Sequence, residues 1–141
     1  MIRSYRDTDL GELLETWYSA SLLAHPFLDE AFFERERNNI REIYLPKAET
    51  WVFEQEGVVV GFVALIGNEV GAIFVDPKYH GRGIGRALMD HARSIRDVLK
   101  LDVFKDNTVG REFYEKYGFQ QIDEDVDEET GFTQLRLRLT C

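Results

Sequence analysis

The sequence predicts a single α+β domain over residues 1–141, with a mixed, mostly antiparallel sheet flanked by helices. Three observations predict it. Two amphipathic helical patterns open the chain, three strand patterns joined by short turns follow from Thr50 to Val75, and a strand, a glycine-rich turn and a helix come next in immediate succession. Strands joined by tight turns pair antiparallel. A doubly wound dinucleotide fold would not place such a meander ahead of its glycine turn.

Ile2-Arg3-Ser4-Tyr5 alternates apolar and polar, as a short first strand does. Asp7-Thr8-Asp9 offers helix caps, with Glu12 at capping-box distance from Asp9. Leu10, Leu13, Leu14, Trp17, Tyr18 and Leu22 keep the helical period as far as His25-Pro26. A second helical pattern runs from Asp29 to Leu45, and Pro46 is expected to end it. The bend between them, His25-Pro26-Phe27-Leu28, reads as a loop histidine followed by two core plugs.

Thr50–Glu54 is a strand, Gln55-Glu56-Gly57 a hairpin turn, and Val58–Ile66 an apolar strand interrupted by Gly61. Gly67-Asn68-Glu69 turns the chain into Val70–Val75. Ile84, Leu88, Ala92 and Ile95 then recur at helical spacing, and His91 is expected on the solvated face. Leu99–Phe104 is a further strand. Asp106-Asn107-Thr108 caps a helix bearing Phe113, Tyr114 and Tyr117, which ends on Gly118. Phe119–Ile122 and Phe132–Leu139 close the sheet, and the acidic link Asp123–Gly131 is expected to be an exposed loop.

Composition narrows the function. At 44% hydrophobic and 13% aromatic residues the chain can bury a core and is not a disordered segment. Its single cysteine, Cys141, allows no intrachain disulfide, and no run is apolar enough for a membrane span or a signal peptide, so a cytoplasmic protein is expected. A net charge of -9 argues against nucleic acid as a partner. Surplus carboxylates either confer solubility or attract a cationic substrate. No His/Cys cluster has metal-ligand spacing and no serine nucleophile elbow is present, so no metal is expected.

The informative stretch is Val75-Asp76-Pro77-Lys78-Tyr79-His80-Gly81-Arg82-Gly83-Ile84-Gly85-Arg86. Gly81, Gly83 and Gly85 strip side chains from a helix entry, so main-chain N–H groups stand bare at its positive end, an anion site suited to phosphate. A Walker A loop would need Gly-Lys-Ser/Thr, but Gly85 is followed by Arg86-Ala87. A dinucleotide fingerprint beginning at Gly81 would need glycine where Arg86 stands.

What remains is Arg/Gln-x-x-Gly-x-Gly/Ala, the pattern of the GNAT superfamily of N-acyltransferases, which His80-Gly81-Arg82-Gly83-Ile84-Gly85 resembles with His80 in the usual Arg/Gln place. Asn107 followed by Phe113-Tyr114-Glu115-Lys116-Tyr117-Gly118-Phe119 resembles a second GNAT pattern, in the expected order. The likeness covers essentially the whole chain. More narrowly, the chain looks like the small bacterial YjaB-type acetyltransferases, which also pair a His-x-Phe-Leu bend with a Val-Gly-Phe strand, here Val60-Gly61-Phe62.

The resemblance implies a sheet splayed between its fourth and fifth strands, with acetyl-CoA as co-substrate in the gap. Backbone amides from Gly81 to Arg86, including those of Arg82, Gly83, Ile84 and Gly85, would hold the diphosphate, with charge from Arg82 or Arg86 and a weaker or pH-sensitive contact from His80. Ile73-Phe74-Val75 would pair with the pantetheine arm as a strand edge and offer an N–H to the thioester oxygen. Tyr114 would be the general acid that protonates the leaving thiolate, since a thiol near ~8.5 and a phenol near ~10 are close enough for transfer. Its plainer role is one more aromatic on an amphipathic helix. Asn107 is either a cofactor or substrate contact or an N-cap, and Glu69, Asp102 or a water is the base.

The function so implied is direct acetyl transfer from acetyl-CoA to a primary amine: a small amine, a peptide N-terminus or a protein lysine. The rival is a non-catalytic acyl-CoA-binding module that has kept the loop. A monomer or a homodimer is expected.

Overall fold

In a computed structural model, which describes residues 1–141, the chain runs β1 (Ile2–Ser4), α1 (Leu10–Ala24), α2 (Glu30–Asn39), α3 (Leu45–Lys47), β2 (Glu49–Gln55), β3 (Val58–Ile66), β4 (Glu69–Val75), α4 (Ile84–Ser94), β5 (Val98–Phe104), α5 (Thr108–Tyr117), β6 (Gln120–Val126) and β7 (Thr133–Thr140). The seven strands form one sheet in the order β1-β2-β3-β4-β5-β7-β6. All neighbours are antiparallel except β4 and β5. The α+β class and the three-strand meander are as expected.

β3 is apolar at almost every position because both of its faces are covered. On one face Val52, Val59 and Phe62 meet Leu13, Leu14 and Trp17 of α1 and Phe33 of α2. On the other, Val63 and Leu65 join Leu99, Leu101, Leu135 and Leu137 beneath Ile84, Leu88, Met89 and Ala92 of α4. Each of these large side chains, fully buried, contributes roughly 1.5–3 kcal/mol. Gly61 does specific work here. A Cβ at that position would stand 3.2 Å from side-chain atoms of Ile84 and Leu88 and 3.3 Å from the Phe74 carbonyl, so a hydrogen there lets α4 press against the sheet.

Four local expectations are corrected. The pattern from Asp29 to Leu45 is not one helix: Asp29 caps α2 by accepting the Phe32 N–H at 2.9 Å, but residues Ile40–Tyr44 widen into a π turn, in which Leu45 N–H reaches back to the Ile40 carbonyl, and Pro46 lies inside α3. A proline has no N–H for the carbonyl four residues back and crowds it, so the chain loosens ahead of the ring. Asp9 does not cap α1 with its side chain; Arg3 grips both carboxylate oxygens at 2.8 and 2.9 Å, tying β1 to the helix entry. His91 is not solvated but rests against the Trp51 ring at 4.2 Å. The acidic stretch after Phe119 is strand as far as Val126, and only the turn from Asp127 to Phe132 is loop. β6 is the sheet edge, exposed throughout, and its row of carboxylates suits a strand that must not pair with another chain.

The feature that makes a site is a failure of pairing. β5 and β7 share seven paired positions, whereas β4 and β5 share one, Glu69 with Lys100. From there the two strands diverge and the sheet opens as a V.

Candidate active site

The V holds a cleft of about 780 Å³. It is walled by the open edge of β4, by β5, by the last turn of α1 and by the facing side of α5. Every site residue named from the sequence lines it except Arg82, whose guanidinium lies over the Tyr79 ring at 5.0 Å. Of the two loop arginines expected to add charge, only Arg86 faces the cleft.

At one end stands the glycine turn. Gly81 and Gly83 have φ of +78° and +79°, the left-handed region, and Gly83 is the residue from which α4 starts. A Cβ on either would touch nothing, so the demand for glycine is conformational and the space beside them is open. Ala87 N–H is bonded to the Gly83 carbonyl, which leaves the N–H groups of Ile84, Gly85 and Arg86 without helical partners. No acidic side chain sits in that first turn to quench them. A diphosphate fits such a cradle. Gly85 is a different case: a Cβ there would make ordinary contact with Phe113 at 3.4 Å, and its φ is negative, so alanine is admissible.

His80 stands where the pattern has Arg or Gln, and its Nε2 lies 2.8 Å from the Val75 carbonyl. A carbonyl only accepts, so Nε2 carries the hydrogen. The ring thus staples the loop to the end of β4.

In mid-cleft, β4 is flanked by β3 alone, so the groups of Ile73, Phe74 and Val75 on its far edge have no strand partner. The register shifts between Ala64 and Leu65 of β3, which leaves Gly71 as the extra residue of a bulge on β4 at the cleft. Tyr114 faces this edge from α5. Its ring packs between Phe113 and Phe119 at 5.6 and 5.7 Å, and its hydroxyl makes no hydrogen bond within the protein. Burial pushes the phenol well above its ordinary pKa, so it keeps its proton.

Asn107 is the N-cap of α5: Oδ1 accepts the Gly110 N–H at 2.8 Å. A Cβ on Gly110 would stand 2.5 Å from the Asn107 amide nitrogen, so that glycine makes room for the cap. The same nitrogen lies 3.3 Å from Nε2 of His25. His25 is not merely the loop residue its place in the bend predicts: it lines the cleft between Phe27 and Phe104, and burial lowers its pKa to about 4. Phe27, by contrast, is a plug as its place in the bend predicts, set between Phe104 and Phe132.

Glu69 and Asp102 meet at one cation that sequence reasoning passed over. Arg136 of β7 binds both oxygens of Glu69, one of them at 2.7 Å, and reaches Asp102 at 3.4 Å. The available signal was the Arg136/Arg138 alternation with leucines in the last strand, which puts a guanidinium on the face opposite the core. A further acidic group, Glu36 with Asp127 and Glu129, lines another stretch of the wall, and Glu36 is raised by burial and then by the charge of Glu129.

Comparison with known proteins agrees with this geometry. Residues 46–121 match the acetyltransferase (GNAT) domain model. The chain is 35% identical to the peptidyl-lysine N-acetyltransferase YiaC of Escherichia coli K12, over 87% of this chain and 85% of the relative. It is 35% identical to the peptidyl-lysine N-acetyltransferase YjaB of the same organism, over 84% and 81%. The solution structure of apo YjaB from E. coli superposes with a TM-score of 0.87 at 31% identity, covering 98% of this chain and 95% of that one. PaiA N-acetyltransferase from Thermoplasma acidophilum, solved in complex with coenzyme A, shares the fold with a TM-score of 0.79 at 21% identity, over 100% and 98%. With a splayed sheet, a bare helix start and relatives alike over most of its length, this chain belongs to the GNAT family of acetyltransferases, enzymes that use acetyl-CoA.

Proposed function

We propose that this acetyltransferase acts on protein lysines, taking the acetyl group from acetyl-CoA without a metal or a covalent enzyme intermediate. The observation that carries the reading is the cleft itself. It is open along one strand edge, has unpaired amides at one end and a free phenol in its middle, and bears carboxylates on its far wall. Two relatives about one-third identical to it are peptidyl-lysine N-acetyltransferases, and the carboxylates of Glu36, Asp127 and Glu129 suit a cationic acceptor.

Acetyl-CoA would supply the thioester. The N–H groups of Ile84, Gly85 and Arg86, with the Arg86 side chain, would hold its diphosphate, and His80 would keep the loop in place for them. The open edge of Ile73-Phe74-Val75 would pair with the pantetheine amides, and a main-chain N–H of β4 would meet the charge that develops on the thioester oxygen. Tyr114 would give its proton to the departing sulfur. Burial that raises the phenol also raises the basicity of a thiolate beside it, so the two stay matched.

Of the two base candidates, Asp102 is favoured. Both oxygens of Glu69 are committed to Arg136, whereas Asp102 touches it at 3.4 Å through one oxygen and its side chain is 51% exposed. The free oxygen can take the amine proton directly or through water. Asn107, with both ends of its amide engaged, acts as a cap and as the brace for His25.

The test is a thiol-release assay with acetyl-CoA and three acceptor sets: lysine peptides blocked at the N-terminus, peptides with a free N-terminus and no lysine, and small polyamines. Mass spectrometry should find the acetyl group on Nε of the first set. Faster transfer to α-amines or polyamines would overturn the lysine assignment. Binding of coenzyme A without transfer to any amine would favour the sensing module.

A further inference from the structure

Alternation along the last half of the sheet leaves one of its faces without a helix. Leu99, Leu101, Leu135, Leu137 and Leu139 turn toward α4 and α5, so Lys100, Asp102, Arg136 and Arg138 turn the other way, while α1 and α2 pack on β2 and β3. On this open face the register sets two rows side by side. In one, Arg136 has Asp102 of β5 opposite it on one side and Asp123 of β6 on the other. In the next, Arg138 has Lys100 on one side and Gln120 on the other.

Two cations placed directly across a strand pair repel each other. Neither Lys100 nor Arg138 makes an ion pair within the protein, although the chain carries 26 Asp and Glu against 17 Lys and Arg. Arg138 is exposed and Lys100 half-buried. Gln120 stands where a carboxylate would have faced Arg138 as Asp123 faces Arg136. A cation pair that the fold leaves without a counter-charge is matched to an anion from outside.

The pair adjoins the cleft. Asp102, Phe104 and Gln134 of the same face line its wall, and Lys100 lies one alternation from Asp102, about 7 Å along β5. A peptide whose lysine enters the cleft leaves its neighbouring residues on this rim. An extended chain advances about 3.3 Å per residue, so a side chain about two to four positions from the lysine reaches the pair. We propose that Lys100 and Arg138 bind an acidic side chain of the protein substrate, close in sequence to the acceptor lysine. This rests on the reading of the enzyme as a protein-lysine acetyltransferase. The guanidinium and the ammonium both donate to the incoming carboxylate, and its position fixes the direction in which the peptide lies across the mouth of the cleft.

The experiment reads binding directly, by titrating peptides into the protein saturated with coenzyme A. A lysine peptide blocked at both ends and otherwise neutral is compared with versions carrying Glu at each of about four positions on either side of the lysine. At one or two of these positions Glu should tighten binding about fivefold, the scale of exposed ion pairs, and the gain should shrink at high salt. The gain should vanish in the double variant Lys100→Gln, Arg138→Gln. That variant should keep the neutral peptide and coenzyme A within about twofold and its Tm unchanged or higher, since a repulsion is removed. A scan with no favoured position overturns the proposal, as does a gain that persists in the double variant or a wild type that binds none of the peptides. A wild-type dimer that the two substitutions split, seen by analytical ultracentrifugation, overturns it too, because the pair would then hold a second copy. A protein that binds the Glu peptides more tightly through this pair yet acetylates none of them refutes the proposed reaction and leaves this site standing.

Discussion

Removing one oxygen from Tyr114 separates its two roles. In Tyr114→Phe the ring keeps its packing against Phe113 and Phe119, and the hydroxyl that is lost had no hydrogen bond within the protein. Stability should therefore change by less than about 0.5 kcal/mol, the range of a substitution that disturbs no buried partner. Affinity for coenzyme A should hold within about twofold, because its diphosphate is assigned to main-chain amides of α4, on another element. The loss should fall on kcat. A positioned general acid contributes about 10²–10⁴-fold, or roughly 3–5 kcal/mol of barrier. Thiol release under saturating acetyl-CoA and lysine peptide measures kcat, and calorimetric titration measures the cofactor. Because burial holds the phenol above its ordinary range, the wild-type rate should not decline at alkaline pH through ionisation of Tyr114. If kcat in Tyr114→Phe stays within threefold of wild type, the tyrosine is packing and the reasoning is wrong.

Two further outcomes follow from the same geometry. Gly83→Ala places a side chain at a φ of +79° and should lower stability by about 1–2 kcal/mol and weaken coenzyme A, whereas Gly85→Ala meets only ordinary contacts and should do neither; thermal melts with and without coenzyme A compare them. His25 has its folded pKa lowered to about 4, so the native state favours the neutral ring while the unfolded chain takes up a proton near its ordinary ~6.5. The contribution is fully present above that value and is lost as pH falls from ~6.5 to about 4, on the order of 3 kcal/mol. The slope of Tm against pH in this window should flatten in His25→Gln, and an unchanged slope would show that other groups set it.

Whatever depends on neighbours along the chain can be read from the residues alone. The α+β class follows from local periodicity and short turns, and the glycine turn is legible because positive φ at Gly81 and Gly83 admits few other residues. Asn107 as cap, Gly118 as helix end and β3 as a strand were legible from local residue pattern in the same way, whereas the burial of β3 on both faces was not. What meets across the cleft can be read only from the folded chain. Glu69, Asp102 and Arg136 come from three strands far apart in sequence, and no spacing announces that one guanidinium will hold both carboxylates. His25 and Asn107 are eighty-two residues apart, and their contact is visible only once every neighbour is in place. The opening of the sheet belongs to this second class as well. It consists of hydrogen bonds that β4 and β5 do not make, and side chains do not encode which backbone groups will be left without partners.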